Sequence, residues 1–287
     1  MSVHALQEGI FSVGLDRRFI PISPDDPPAR GALKLGISPF LILRESRVIL
    51  IDAGLGEFSE GGTVQTMRDH LERFGLTEYH VTDIVLSHLH YDHIGGLAHR
   101  ENDWWELTYP DAAVWVNRRE FEKTLAADRF YDEEKTQFLH FLAGRADFRP
   151  VDEGPLPVPG FHSRHIGGHT EFSVAWLYHD LPEEATQADT LSGAGGTDSA
   201  SDPKGRTYLM AGDVIGSRGA VRRKYAAKYD FDPDAGMAAR EALKAEALEN
   251  GWNILAYHDS ECPVFRLTGF DAREGYLIEN LPETVTQ

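Results

Sequence analysis

The stretch SHLHYDHIGG, residues 87–96, sets three histidines and an aspartate within six positions, at His88, His90, Asp92 and His93. It follows the apolar run DIVL, so the cluster begins where a buried strand stops. On extended or looped backbone, residues two apart point the same way, so His88 and His90 can face one ion. Asp92 and His93 follow at a turn and can face a second. Imidazole and carboxylate are donors for zinc, iron or manganese. A single cysteine, Cys262, leaves neither a disulfide framework nor a cysteine-based zinc cluster. A histidine-rich loop that binds nothing is the bland alternative, and four donor side chains after one buried strand argue against it.

The rest of the chain offers more strands with polar tips. SPFLILR and RVILIDAG read as a hairpin, HVTDIVLS and AAVWVN as strands, and TVQTMRDHLERFGL as a helix with Gly75 at its end. RREFEKTLAA and EKTQFLHFLAG read as surface helices. The theme then repeats with strands in FHSRHIGG, FSVAWLYH, RTYLMAGD, WNILAYH and VFRLTGF. Between the third and fourth of these lies the helix FDPDAGMAAREALKAEALENG, with Asp232 as N-cap, Pro233 in the first turn and Gly251 as the stop. Strands followed by helices, twice over, predict two similar halves packed as a sandwich with helices outside. We expect one domain over residues 1–287. Residues 182–205 are poor in apolar side chains and read as a flexible insertion between adjacent strands.

Three of the later strands end on one polar residue each: His169 in GGHT, Asp213 in LMAGD and His258 in ILAYHD. Together with IDAG (Asp52) and SHLHYDH, these pieces resemble the metallo-β-lactamase-fold superfamily of metallohydrolases, over residues 51–259. The resemblance implies an αββα sandwich, two mixed sheets flanked by helices, with a dinuclear site at one edge. By position, His88, His90 and His169 would hold one ion. Asp92, His93 and His258 would hold the other, Asp213 would bridge, and Asp52 would orient a ligand histidine. Two zinc ions per chain are expected, with iron or manganese as alternatives.

Two ions sharing a carboxylate and a water lower that water's pKa towards neutrality, and the hydroxide attacks a carbonyl or phosphoryl centre. Asp92 would orient the nucleophile and carry a proton to the leaving group. YPDAAVWVNRREFEKTL and YDFDPDAGMAAREALKAEA are similar to the branch holding lactonases and organophosphate-type esterases, which makes a lactone or carboxylic ester the expected substrate. A phosphodiester or phosphotriester is the alternative, and an iron-dependent oxygenase or redox protein a third. Typical acyl-homoserine lactonases carry a tyrosine three residues after the bridging aspartate. Here Gly216 stands in its place, with Tyr225 and Tyr229 further along. Trp104 and Trp105 are candidate cleft walls, and PISPDDPPARG is a candidate cover. In SRGAVRRKYAAKYD, Arg222 and Arg223 belong to a basic cluster expected at the cleft mouth.

Charge narrows the partners. The formal net charge of −18 repels nucleic acid and anionic membranes. No apolar run approaches a membrane span, and MSVHALQEGIFSVGL lacks the pattern of a signal peptide, so a cytoplasmic location is expected. A small-molecule substrate is the expected partner, and a homodimer is compatible with the sequence.

Overall fold

A computed structural model of the chain describes residues 2–44, 46–127, 132–180, 206–222, 229–282 and 284–286. The insertion expected at 182–205 lies outside the described residues, as do Arg223 and Tyr225. Two seven-stranded sheets dominate. The first runs, in spatial order, Asp147–Val151, Ala113–Asn117, Asp83–Val85, Arg47–Ile51, Phe40–Arg44, Ser2–Ala5 and Thr284–Thr286. The second runs Gly154–Pro155, Phe161–His165, Val174–His179, Thr207–Met210, Asn253–Leu255, Val264–Asp271 and Gly275–Asn280. Both are mixed: Arg47–Ile51, Asp83–Val85, Ala113–Asn117 and Asp147–Val151 run parallel, as do Thr207–Met210 and Asn253–Leu255.

Alternation along the strands explains the layering. In the predicted hairpin, where Phe40–Arg44 pairs antiparallel with Arg47–Ile51, Phe40, Ile42, Ile49 and Ile51 face the second sheet. Leu41 and Leu50 face outward, under the helices. Trp176, Tyr178, Tyr208 and Met210 answer from the second sheet, while Ala175 and Leu209 point the other way. Each outer face needs a cover, because a buried leucine contributes about 1.5–3 kcal/mol only if water is excluded. Met67, Leu71, Phe138, Leu139 and Leu142 supply it for the first sheet, from helices Gln65–Glu72 and Glu133–Arg145. Leu243 and Ala247 of helix Pro233–Asn250 supply it for the second. The result is the four-layer αββα sandwich.

Helix ends follow the sequence signals. Asp232 accepts from Ala235 N at 3.0 Å, Pro233 opens the helix, and Gly251 ends it at φ 66°. Gly75, at φ 70°, terminates the earlier helix, with Leu76 N donating to Leu71 O. A small third sheet was not anticipated: Phe19–Pro21, Gly9–Val13 and Leu33–Ile37 pair antiparallel beside the sandwich edge.

Candidate metal centre

The first half of the site hangs from two adjacent parallel strands. Asp52 follows Arg47–Ile51 in a left-handed conformation, φ 57°, which aspartate tolerates better than most residues. Its carboxylate is fully buried and fully used. Oδ1 accepts from Ser87 N at 2.8 Å, and Oδ2 accepts from Ser87 Oγ at 2.8 Å and His93 Nδ1 at 2.7 Å. Ser87 Oγ also accepts from His88 Nδ1 at 3.0 Å. His90 then stands at the N-cap position of the short helix Tyr91–Ile94 that carries Asp92 and His93. The glycines of HIGG let this helix end close against the Asp52 loop: a Cβ on Gly96 would sit 2.0 Å from Ala53 O.

The second half comes from the other sheet. His169 stands on a turn in which Gly167 and Gly168 have φ of 60° and 84°. That turn receives backbone bonds from Phe231 and Asp232, at the start of helix Pro233–Asn250. Asp213 sits on a 3-10 turn, Gly212–Ile215, just after strand Thr207–Met210. Arg240, buried on the long helix, holds this turn by donating from Nε to Val214 O at 2.5 Å. His258 follows Asn253–Leu255 and donates from Nδ1 to Gly36 O at 3.0 Å.

These seven side chains converge. His88, His90, His169 and Asp213 each offer a donor atom, all within 4.8 Å of one another, and so do Asp92, His93 and His258. Asp213 Oδ1 lies 3.1 Å from His93 Nε2 and 2.9 Å from His258 Nε2, while its Oδ2 lies 3.1 Å from His169 Nε2. One carboxylate therefore reaches both groups. Asp92 Oδ2 is 3.6 Å from His258 Nε2 and 3.8 Å from His93 Nε2.

The donor set suits divalent ions. Among the described residues, His88 Nε2 and His93 Nε2 are buried with no hydrogen-bond partner, an expensive state unless a cation takes the lone pairs. His90 Nδ1 and His169 Nε2 approach to 2.9 Å, a pairing of ring nitrogens that only a shared proton or cation makes favourable. Burial, then the charges of neighbouring histidines, holds His88 and His90 well below the ordinary histidine pKa, so both keep neutral, donating rings. Burial also opposes charge on His93, His169 and His258, yet facing carboxylates outweigh it and raise all three. Asp213 is buried too, and those three imidazoles hold its pKa well below the usual carboxylate value. Positive charge is favoured on the three histidines that face carboxylates and disfavoured on His88 and His90.

Three supporting residues escaped the sequence reading. Asp230 accepts from His169 Nδ1 at 2.8 Å and turns Nε2 towards Asp213. Glu120, 5% exposed on helix Arg118–Ala126, accepts from Leu89 N at 3.3 Å and Thr170 Oγ1 at 2.9 Å. It thereby ties the His88–His90 segment to the His169 turn. Tyr257 lies against His93, and its hydroxyl donates to Asp92 O at 2.7 Å.

The expected substrate contacts fare differently. Trp104 is 77% exposed, and Trp105 packs with Phe58 and Phe138 under the outer helices, so neither lines the cleft. Arg222 ends a short helix with its carbonyl near Gly275 and is likewise absent from the cleft lining. Its neighbour Arg218 is bound to Asp259 through its backbone N, Nε and Nη2, and reaches Glu261 as well. The cleft, about 480 Å³, runs from Asp92, His169, Asp213 and His258 to an apolar wall of Val13, Phe19, Leu33 and Leu35 from the third sheet. The PISPDDPPARG segment joins two strands of that sheet, and only the flanking residues Phe19, Leu33 and Leu35 reach the cleft.

The sequence profile of the metallo-beta-lactamase superfamily matches residues 34–182. Similar solved structures include AidC, a dizinc quorum-quenching lactonase solved with a product. It has a TM-score of 0.69 and 17% identity over 96% of this chain and 92% of that one. A probable metal-dependent hydrolase from Staphylococcus aureus has a TM-score of 0.69 and 17% identity, covering 98% and 97%. The hydrolase AbOPH of the beta lactamase superfamily has a TM-score of 0.69 and 19% identity, covering 98% and 94%. Identities this low carry the fold and no more. A search of curated protein sequences returned no match.

Proposed function

Because the chain belongs to the metallo-β-lactamase superfamily, we propose that it is a dinuclear zinc hydrolase of lactones or carboxylic esters. The observation that carries the reading is the position of Asp213, whose two oxygens face opposite histidine sets within one buried cleft. His88, His90 and His169 would hold one ion; Asp92, His93 and His258 the other; Asp213 both. The ions would supply Lewis acidity and bring the pKa of water towards neutrality.

The chain's own residues do the rest. Asp52, Asp230 and the Gly36 carbonyl each fix one imidazole by accepting from its Nδ1, which keeps the Nε2 lone pair aimed inward. Asp92 lines the cleft beside the second donor set, where its carboxylate can take a proton from the nucleophile and return it to the leaving oxygen. The apolar wall excludes water from the side where an acyl group would lie. AidC, a lactonase of the same fold, is in keeping with a carbonyl substrate.

The test is a panel of chromogenic lactones, aryl esters and bis-phosphoesters, run on zinc-reconstituted protein and on its Asp213→Ala variant. Turnover of the lactones or esters that disappears in the variant is expected. Turnover of phosphoesters alone, or of nothing, would overturn the assignment.

A further inference from the structure

Arg218, the first basic residue after Asp213, is bound to the loop that carries His258. Asp213 and His258 follow two adjacent parallel strands, Thr207–Met210 and Asn253–Leu255, and the ladder between them ends at Met210 and Leu255. Beyond those residues other contacts must set how far apart the two donors stand. Three contacts take over. His258 N donates to Gly216 O at 2.7 Å. Gly216 comes so close that a Cβ on it would lie 3.2 Å from Cδ2 of the His258 ring. The third contact joins Arg218 to Asp259, the residue after His258.

This pair is a clamp. Asp259 Oδ2 accepts from Arg218 N at 2.8 Å and from Nε at 2.9 Å, and Oδ1 accepts from Nη2 at 2.9 Å. Backbone and guanidinium of one residue thus grip both oxygens of the other, with side chains only 14% and 6% exposed. A forked donor on a carboxylate fixes direction as well as distance. Oδ1 also accepts from Glu261 N at 3.1 Å and Cys262 N at 2.8 Å, so the same carboxylate shapes the connection from Leu255 to Val264. The other two donors of this set share the helix Tyr91–Ile94, and Asp52 and Tyr257 hold them. His258 reaches them from the second sheet on an irregular connection, and its Nε2 still stands 2.9 Å from Asp213 Oδ1. The Gly36 carbonyl fixes the rotation of its ring. What remains to be fixed is the backbone beneath it.

We propose that Arg218 is a positioning residue for the second ion: by gripping Asp259 it holds the His258 backbone opposite Asp213. It acts through His258, on that ion and not on the first. The proposal rests on the two-ion reading of the centre.

Zinc affinity tests it, read by chelator competition on the whole protein so that the two binding steps are resolved. His258→Ala and His169→Ala mark which step belongs to which donor set. Arg218→Ala should weaken the step lost in His258→Ala about 10–100-fold and leave the other within about threefold. Arg218→Lys keeps the charge without the fork and should recover part of the loss. Asp259→Asn keeps an oxygen for Glu261 N and Cys262 N, so the connection keeps its own bonds. It should match Arg218→Ala, and the double variant should be no worse than either single one. Glu261→Gln touches only the exposed arm of Arg218 and should bind both ions as wild type does. Thermal unfolding of the metal-free variants separates positioning from folding, because a merely structural pair would lower both zinc steps together with the melting temperature. That outcome, or a second step unchanged in Arg218→Ala and Asp259→Asn, overturns the proposal. Should Arg218→Ala fail to fold, Arg218→Lys and Asp259→Asn carry the same comparison. A wild-type protein that binds a single zinc overturns the two-ion reading first, and the proposal with it.

Discussion

Tyr257 stacks on His93, ring centroids 4.2 Å apart and planes 21° from parallel, while its hydroxyl reaches past the imidazole to the Asp92 carbonyl. One second-sheet side chain thus fixes both the ring and the backbone of a first-sheet segment. Tyr257→Phe keeps the stack and removes the bond. It should cost about 1 kcal/mol in denaturant unfolding and weaken metal binding about tenfold, by chelator competition. Unchanged metal affinity would limit Tyr257 to packing.

Asp52 and Asp213 should separate cleanly. Asp213→Ala removes a group that faces both donor sets, so bound zinc should fall below two ions per chain even at saturation. Asp52→Ala removes only the partner of His93 and Ser87, and should weaken binding about 10–100-fold with the full stoichiometry recoverable. Elemental analysis against added zinc distinguishes the two. Equal effects would refute the difference in role.

Glu120 offers an isosteric control. Glutamine can accept from Leu89 N and donate to Thr170 Oγ1, whose own proton can turn to Ser173 Oγ at 2.7 Å. Glu120→Gln should therefore bind zinc within about threefold of wild type, whereas Glu120→Ala should lose about tenfold or more. A large loss in both variants would mean that the charge matters rather than the tether.

Gly168 and Gly251 both have positive φ, at 84° and 66°, but only Gly168 is crowded. A Cβ there would meet Gly236 Cα at 2.4 Å, and on Gly251 it would meet nothing within 4 Å. Gly251→Ala should cost about 1–2 kcal/mol from backbone strain alone. Gly168→Ala should cost more, by a further 1–3 kcal/mol of overpacking, and should displace His169 as it does so. Thermal unfolding with and without zinc reads both effects.

Glu8 links stability to pH away from the metal centre. Its carboxylate accepts from Leu55 N at 2.7 Å and Gly56 N at 2.8 Å, yet burial raises its pKa from 4.5 to about 7. The folded chain therefore holds this proton more tightly than the unfolded chain. The stabilisation is complete below pH 4.5 and disappears as pH rises through 7. Glu8→Gln lacks the titration, so its stability relative to wild type should improve by about 3 kcal/mol across that window. Paired urea unfolding at pH 4.5 and 8 checks the sign; a difference independent of pH would mean an unperturbed carboxylate.

The donor residues were legible in the sequence because each is a polar side chain at the tip of an apolar strand, and four of them crowd into SHLHYDH. Of their supports, Asp52 was legible in IDAG, and the others were not. Asp230 stands two residues before Asp232, whose capping role accounts for the local acidity. Glu120 sits on a helix whose charged composition reads as solvent-facing, and only the docking of the His169 turn buries it. Trp104 and Trp105 are neighbours on one strand and face opposite ways, and nothing in their sequence says that the inner ring packs against Phe138 and not at the cleft. Strands Gly9–Val13 and Leu33–Ile37 are short and carry glycine, which hid the apolar wall of the cleft.

The division of donors between the two sheets also sets when the centre can exist. His93 and His258 lie about 165 residues apart, and a ribosome takes on the order of ten seconds to add that length. Throughout that interval the nascent chain presents a histidine-rich segment whose partners have not been made. Any cation caught then is chosen by raw affinity, since no rigid geometry yet discriminates between ions. Faithful loading therefore belongs to the finished fold, and the cell's free-metal concentrations at that moment decide which ion the protein acquires.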